Sequence, residues 1–303
     1  MWTKRDIPDL TGKTIIVTGA NTGIGYETAL ALHQAGADVI AASRDLEKTE
    51  QAISRMKTSS KGNGMLEAME LDLADLKAVR EFSEAFKDRY KKLDILINNA
   101  GVMLPPPSLT ADGFELQFGV NFLGHFALTG YLYPLLVQAA GTRVITLSSG
   151  AATQAEYIDF GNVRLEKPYD AQLAYAVSKL ADIHFTRELH RRLEAVKSPV
   201  ISAAAHPGVV RTDLQRHIPA ETLEQAFAQF SEIMEPWQGA LPSLFAATDP
   251  SVYGGALYGP DGDREFAGYP ALSAHHTEAM NNEAEAGKLW AFAEGVTGIK
   301  FPF

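Results

Sequence analysis

The sequence predicts an α/β fold, a single doubly wound domain with a mostly parallel sheet of seven strands, and two observations carry that expectation. Short β-branched runs alternate with longer amphipathic stretches along the chain, the pattern of parallel strands joined by right-handed crossovers. No internal repeat, low-complexity tract or long linker interrupts the alternation. The 303 residues, 46% hydrophobic and 21% charged, have an ordinary globular balance, so one domain over 1–303 with some added loops is expected.

The strands are expected at KTIIVT (13–18), ADVIAAS (37–43), MLEAMEL (65–71), LDILIN (93–98), TRVITLS (142–148) and PVISAAA (199–205), with a seventh near Ala256–Tyr258. Helical spacing follows the first strand at Thr28, Leu32 and Ala35, and the third at Val79, Phe82 and Phe86. Two stretches depart from the rhythm. Between Ser149 and Tyr175, IDFGNVRLEKPYDAQ reads as a loop or small excursion. From Thr212 to Gly239, Leu214, Ile218, Phe227, Phe230, Met234 and Trp237 dot a mobile-looking segment. Long loops in compact domains are usually lids or binding loops, and 213–239 is expected to be a substrate lid.

The net charge of −10, from 27 Lys+Arg against 37 Asp+Glu, argues against nucleic acid or an anionic membrane surface as the main partner. The chain has no cysteine, which excludes disulfides, thiolate metal sites and a cysteine nucleophile. MWTKRDIPDL has no apolar core, unlike a signal peptide, and the longest apolar stretch, Phe126 to Ala140, is too short and interrupted to span a bilayer. A soluble, cytoplasmic protein is expected.

The first strand runs into Gly19-Ala20-Asn21-Thr22-Gly23-Ile24-Gly25 and then an amphipathic helix. Glycines at 19, 23 and 25 let the backbone turn tightly and approach a pyrophosphate, which a helix N-terminus stabilises. Strand before and helix after, at the start of a βαβ unit, make this a Rossmann-type dinucleotide site rather than a mere turn. NAD binders place a carboxylate about twenty residues on, at the end of the second strand. Here Ser43 and Arg44 stand there. A guanidinium can bind a 2′-phosphate that a carboxylate would repel, so NADP(H) is the expected cofactor. The alternative leaves Arg44 as a solvated surface arginine and gives the NAD role to Asp45.

Tyr175-Ala176-Val177-Ser178-Lys179 opens a helical run, whose i, i+4 spacing sets phenol and ammonium on one face. A nearby ammonium favours the phenolate and brings a tyrosine closer to working range. Such a pair alone is common, and its company decides. Asn98-Asn99-Ala100-Gly101, Asn121, Ser148-Ser149 and His206-Pro207-Gly208 all lie at the carboxyl ends of expected strands or in the helix after one, where doubly wound sheets bind ligands.

Taken together these motifs resemble the short-chain dehydrogenase/reductase family over roughly residues 11 to 260. The resemblance implies that Gly19, Gly23 and Gly25, with Asn21, Thr22 and Ile24 between them, form the cofactor turn, and that Asp72 and Leu73 lie beside the adenine. It implies Asn99, Ala100 and Gly101 at the adenosine ribose, and Pro207, Gly208, Val210 and Thr212 around the nicotinamide carboxamide. Asn121, Ser149, Tyr175 and Lys179 match the catalytic tetrad. Tyr175 would exchange the proton with the carbonyl or alcohol oxygen, and Ser149 would donate a hydrogen bond to that oxygen. Lys179 would lower the tyrosine pKa and grip the ribose, and Asn121 would support a water chain to Lys179. Ser149 is chosen over Ser148 because the family's serine is the second of such a pair.

The stretch from Ser149 to Tyr175 is about twice the family's common gap. FGNVRLEKPYDAQLAYAVSK, GANTGIGYETA, FTRELHRRL and WAFAEGVTGIKF resemble the retinol dehydrogenase-like branch. That branch often carries N-terminal membrane anchors, which MWTKRDIPDL does not resemble, so retinoid specificity is not carried over. Protochlorophyllide reductase is a nearby relative whose photochemistry relies on a cysteine absent here. Many relatives pair through the tyrosine-bearing helix; the extra residues before Tyr175 could cover it, so a monomer or homodimer is expected.

The scattered histidines, His275-His276 among them, lack ligand spacing with carboxylates, and no metal is expected. His125 and His206 are read as packed near the cofactor, and Pro105-Pro106-Pro107 as a stiff loop. The expected activity is NADP(H)-dependent interconversion of a ketone or aldehyde and an alcohol. The apolar residues of 213–239, with few basic ones beyond Arg216 and His217, favour a neutral apolar substrate. A cofactor-sensing regulator and a reductase of C=C bonds are the alternatives; sensors usually lose the tyrosine or lysine.

Overall fold

The computed structural model describes residues 1–303. Each β-branched run becomes a strand: β1 (Thr14–Thr18), β2 (Asp38–Ser43), β3 (Leu66–Glu70), β4 (Ile95–Asn98), β5 (Arg143–Leu147), β6 (Ile201–Ala205) and β7 (Leu257–Pro260). An eighth, β8 (Pro270–Leu272), corrects the expected count of seven. It pairs antiparallel with β7 at the sheet edge, where a proline without an N–H is tolerated. All other pairs are parallel, in the order β3-β2-β1-β4-β5-β6-β7-β8. The order reverses between β1 and β4, the switch point beyond which such sheets bind ligands.

The helices are α1 (Gly23–Gln34), α2 (Leu46–Ser59), α3 (Leu76–Arg89), α4 (Gly124–Leu136), α5 (Ala171–Ala195), α6 (Ala220–Phe227), α7 (Pro236–Gly239), α8 (Leu241–Thr248) and α9 (Glu283–Thr297). Strand side chains alternate between two cores. Ile16, Ile40, Leu96 and Val144 face Phe82, Phe126, Leu180 and Trp290 of α3, α4, α5 and α9. Ile15, Val17, Val39, Ile97 and Ile145 face Leu32, Met56 and Leu244 of α1, α2 and α8. Both sheet faces are covered, which is why the strands read as nearly continuous apolar runs.

Asp45, Asp75, Asp170 and Asn282 start α2, α3, α5 and α9 by accepting first-turn N–H groups, the ordinary use of these residues at helix starts. Asp170 sets the start of α5 at Ala171, a turn earlier than the expected opening at Tyr175. The excursion before it is pinned rather than loose. A 3-10 turn spans Gly150–Gln154, Ile158 and Val163 are buried, Phe160 packs 5.2 Å from Phe292, and Ile158 N–H donates to Glu285.

Nor is the stretch after Thr212 a bare loop: it holds a 3-10 turn at Asp213–Gln215, then α6 and α7. No helix is long and apolar enough to cross a membrane.

Candidate active site

Beyond the carboxyl ends of β1, β2 and β4 runs a cleft of about 1410 Å³, larger than the roughly 300–1,000 Å³ of usual small-molecule pockets. The glycine turn forms its floor. Gly19 and Gly23 have φ of +67° and +57°, a conformation that favours glycine. A Cβ on Gly25 would stand 2.3 Å from the Gly19 carbonyl oxygen and 2.4 Å from Asn99 Nδ2, so only glycine fits. Unlike the four capped helices, α1 has no side-chain cap: Thr22 Oγ1 donates instead to Asp213 Oδ2 at 2.7 Å. The first-turn N–H groups therefore meet no side-chain acceptor, which suits an anionic ligand. On this observation the residues fit a dinucleotide pyrophosphate.

Asn21, Thr22, Ile24, Ser43, Arg44, Asp72, Leu73, Asn99, Ala100, Gly101 and Thr212 all lie in the cleft wall. Thr18 shapes the far side of the switch point. Its hydroxyl accepts from the N–H groups of Asn99 and Ala100 at 2.9 Å each, while Asn99 Nδ2 donates to the Thr18 carbonyl at 2.7 Å. Just past the end of β2, Arg44 is exposed and has no ion-pair or hydrogen-bond partner. Asp45 is engaged twice, accepting from Lys48 N–H at 3.0 Å and from Lys48 Nζ at 2.7 Å. Ser43 is buried and bonded to Thr49 Oγ1. Sequence reasoning missed Lys48, Gln51 and Arg55, which join this wall; their i, i+3, i+7 spacing on α2 was the available signal.

Tyr175, Lys179, Ser149, Asn121, Pro207, Gly208 and Val210 are not in the cleft wall; Leu147, Gly101 and Thr212 are. Hydrogen bonds tie the neighbouring polar residues into two groups, one around Ser178 and one around Lys179. Asn121 sits in a π-helical turn, Phe118–Leu123, and its Nδ2 donates to Ser178 Oγ at 2.9 Å and to the Val102 carbonyl at 3.0 Å. Ser178 Oγ donates to the Tyr175 carbonyl at 2.8 Å. Lys179 Nζ donates to the Leu147 carbonyl at 2.8 Å and to Asp182 Oδ2 at 2.9 Å. Its ammonium lies 5.9 Å from the centre of the Tyr175 ring. Ser148 is buried and donates to the Lys179 carbonyl at 2.8 Å, whereas half-buried Ser149 only accepts a bond from Ala151 N–H. Ser149 thus keeps its hydroxyl proton for another acceptor.

His125 is fully buried between Asn121 and Thr18. Its Nδ1 is 2.8 Å from the Asn121 carbonyl and its Nε2 2.9 Å from Thr18 Oγ1. Since the Thr18 hydroxyl already accepts two N–H groups, its proton goes to Nε2, and Nδ1–H donates to Asn121. Burial, with the Lys179 charge adding to it against the Asn121 bond, lowers His125 to about 4, so the ring is neutral.

His206 was expected to pack near the cofactor, and the histidines to lack carboxylate company. The second expectation is corrected: His206, Glu265 and His275 bring their ligand-type atoms within 4.8 Å of one another. Glu265 is the hub of a hydrogen-bond network that His275 joins through its backbone N–H, which donates to Ser273 Oγ at 3.1 Å. Glu265 Oε2 accepts from His206 Nε2 and from Ser273 Oγ at 2.6 Å each, and Oε1 accepts from Ala274 N–H. His275 Nε2 is 3.2 Å from where a Gly150 Cβ would lie, so the network abuts the residue after Ser149.

The six apolar residues after Thr212 do not share one surface. Leu214 is in the cleft wall, Ile218 is half-buried, and Phe227 and Met234 are buried. Phe230 packs on Phe266, and Trp237 is 41% exposed beside Lys4. Pro105, Pro106, Pro107, Leu116 and Val120 supply apolar wall that the sequence reading had not assigned to the site.

The fold and this edge define a dinucleotide-dependent oxidoreductase. Residues 13–223 match the family model for short chain dehydrogenase, and the chain belongs to that family. It is 42% identical to Homo sapiens retinol dehydrogenase 13 over 96% of this chain and 86% of that protein. It is 39% identical to Mus musculus retinol dehydrogenase 14 over 95% and 86%. An uncharacterized protein from Mycobacterium paratuberculosis superimposes with a TM-score of 0.82 at 37% identity, covering 100% of this chain and 99% of that one. The Pseudomonas aeruginosa RhlG/NADP active-site complex gives 0.65 at 27% identity, covering 82% and 94%. The chain falls in the retinol dehydrogenase-like branch and is an enzyme acting between alcohols and carbonyls.

Proposed function

We propose that the protein interconverts a neutral, apolar ketone or aldehyde and its alcohol with NADP(H), using Tyr175 as general acid and base. One observation carries the reading: the bonds through Asn121, Ser178 and Leu147 hold the tyrosine–lysine turn of α5 at the sheet edge, beside a cleft built for a dinucleotide. A bound nicotinamide would supply or accept the hydride. Asn21 to Gly25 would hold the pyrophosphate, Asp72, Leu73 and Asn99 to Gly101 the adenosine, and Pro207, Gly208, Val210, Thr212 and Lys179 the nicotinamide half. Tyr175 gives the proton to the substrate oxygen in reduction and takes it in oxidation, with Ser149 donating a hydrogen bond to the same atom. NADP(H) over NAD(H) is favoured by unpaired Arg44 at the adenosine end, where Asp45 is already engaged by Lys48.

Residues 213–239 serve as the substrate lid of a single domain, 1–303, with Leu214 and the Pro105–Pro107 wall facing the site. NADPH consumption over ketones, aldehydes and enones tests the reading. Turnover with ketones or aldehydes is expected, with kcat/KM higher for a medium-chain ketone than for a keto acid of similar size. Tyr175→Phe should keep NADPH binding and lose activity by orders of magnitude. Turnover confined to enones, none at all, or a fully active Tyr175→Phe would overturn it.

A further inference from the structure

Asp182 has no part in the chemistry so far, yet it stands one turn after Lys179 and is 1% exposed. Its Oδ2 accepts from Lys179 Nζ at 2.9 Å, and its Oδ1, also buried, has no hydrogen-bond partner. A carboxylate taken out of water with half its acceptor capacity unmet is costly to a fold. Lys179 does not need it for anchorage alone, because the Leu147 carbonyl already accepts from the ammonium. We propose that Asp182 is a positioning residue that sets how strongly Lys179 acts on Tyr175: its carboxylate holds the ammonium at β5 and offsets part of the positive field at the phenol. This inference rests on the reading of Tyr175 as the acid and base.

The Lys179 ammonium is 5.9 Å from the centre of the Tyr175 ring, close enough to favour the phenolate. An anion directly bonded to that ammonium turns a charge into a dipole, and the attraction felt at the phenol falls. How far it falls depends on the charge of Asp182. Burial pushes Asp182 up to about 7, even against the pull of Lys179. Burial also works against the Lys179 charge, but Asp182 and Tyr175 outweigh it and raise Lys179. The carboxyl is therefore the member of the pair that changes charge near neutrality.

Few other groups complicate the balance. From α4, His125 feels the Lys179 charge but is neutral. β5 and the π-helical turn bring the uncharged Leu147, Ser148 and Asn121. On α5, the Thr186 hydroxyl bonds the Asp182 carbonyl, and His184 pairs with Glu285 of α9.

Asp182→Asn in the full-length enzyme keeps the size and an acceptor for Lys179 while removing the charge. The readout is the pH profile of kcat/KM for oxidation of a medium-chain secondary alcohol with NADP+, the direction in which Tyr175 must lose its proton. The acidic limb is expected to move down by roughly one pH unit or more. Asp182→Glu, which keeps the charge, should leave the limb in place. If the asparagine variant does not fold, Asp182→Ser removes the same charge and must give the same shift. A profile that overlays the wild type, or an equal shift in Asp182→Glu, overturns the inference. Tyr175→Phe separates the two readings. If it stays active, the tyrosine reading fails; if it is inactive while Asp182→Asn leaves the profile unmoved, only the role of Asp182 fails.

Discussion

Arg44 is free while its neighbours are committed, and the proposed preference for NADP(H) rests on that difference. A charge-assisted hydrogen bond contributes about 1.5–3 kcal/mol, so Arg44→Ala should raise KM for NADPH by roughly ten- to a hundredfold and leave KM for NADH nearly unchanged. Steady-state kinetics with both cofactors measure this; an equal rise for both would place Arg44 outside the 2′-phosphate site. Arg55 should matter less, because its guanidinium lies 5.6 Å from the Tyr26 ring and has a partner already. Glu265 is a different kind of residue. Burial pushes it up, but the donors from His206, Ser273 and Ala274 outweigh that and hold it at about 2. A folded-state value below the unfolded one stabilises the protein above about pH 4.5, and that stability is lost as pH falls toward 2. Glu265→Gln should therefore cost about 1–3 kcal/mol at pH 7, and the difference in Tm should shrink by about pH 3. A pH-independent difference would mean that the charge is irrelevant. None of this network was legible in the sequence, because His206, Glu265 and His275 are brought together only by the turn after β7. Arg44 was legible, since its position follows from the end of β2.

At the scale of elements, the strands from β1 to β7 were read to within two residues at each end, because the central ones are buried on both faces and nearly continuously apolar. β8 escaped because three residues cannot show a period, and it opens on a proline, which gives no strand signal. The start of α5 was in plain view as Asp170 followed by AQLAY, yet the motif at Tyr175 drew the boundary one turn late. That cap is testable. Asp170 accepts from the N–H groups of Gln172 and Leu173 at 2.9 and 3.1 Å, and Asp170→Ala should cost about 1 kcal/mol in urea unfolding. NADPH binding should be unaffected, since α1 lies on the opposite face of the sheet. A change in Kd without a change in stability would contradict this assignment. The segment after Thr212 shows the limit of composition: its apolar residues signalled burial, but only Leu214 is in the cleft wall and Trp237 turned outward. Side-chain direction in a short, irregular helix is set by its contacts, here with Phe266 and Val210, and has no period to read.

For the molecule as a whole, α9 matters most. The insertion before Tyr175 was expected to cover the tyrosine-bearing helix; its 3-10 turn and α9 both pack against α5, and aromatic residues from α9 onward close over α4 and α5. Trp290 lies 5.1 Å from Phe126 and 6.2 Å from Phe185, and Phe301 lies 5.3 Å from Phe126. With that face occupied by its own chain, the protein should be a monomer, and light scattering should return about the 32.9 kDa of one chain; a stable tetramer would count against it. α9 also has a consequence for the order of folding. α5 is synthesised before the last strands of the sheet, while the aromatic residues that seal it come after every strand. Until they arrive, Phe126 and Phe185 have only Phe122 and each other as aromatic partners, and contacts so distant in sequence form slowly. A nascent chain would leave that face of α5 uncovered until synthesis had passed Trp290, and in that interval it would lean most on chaperones.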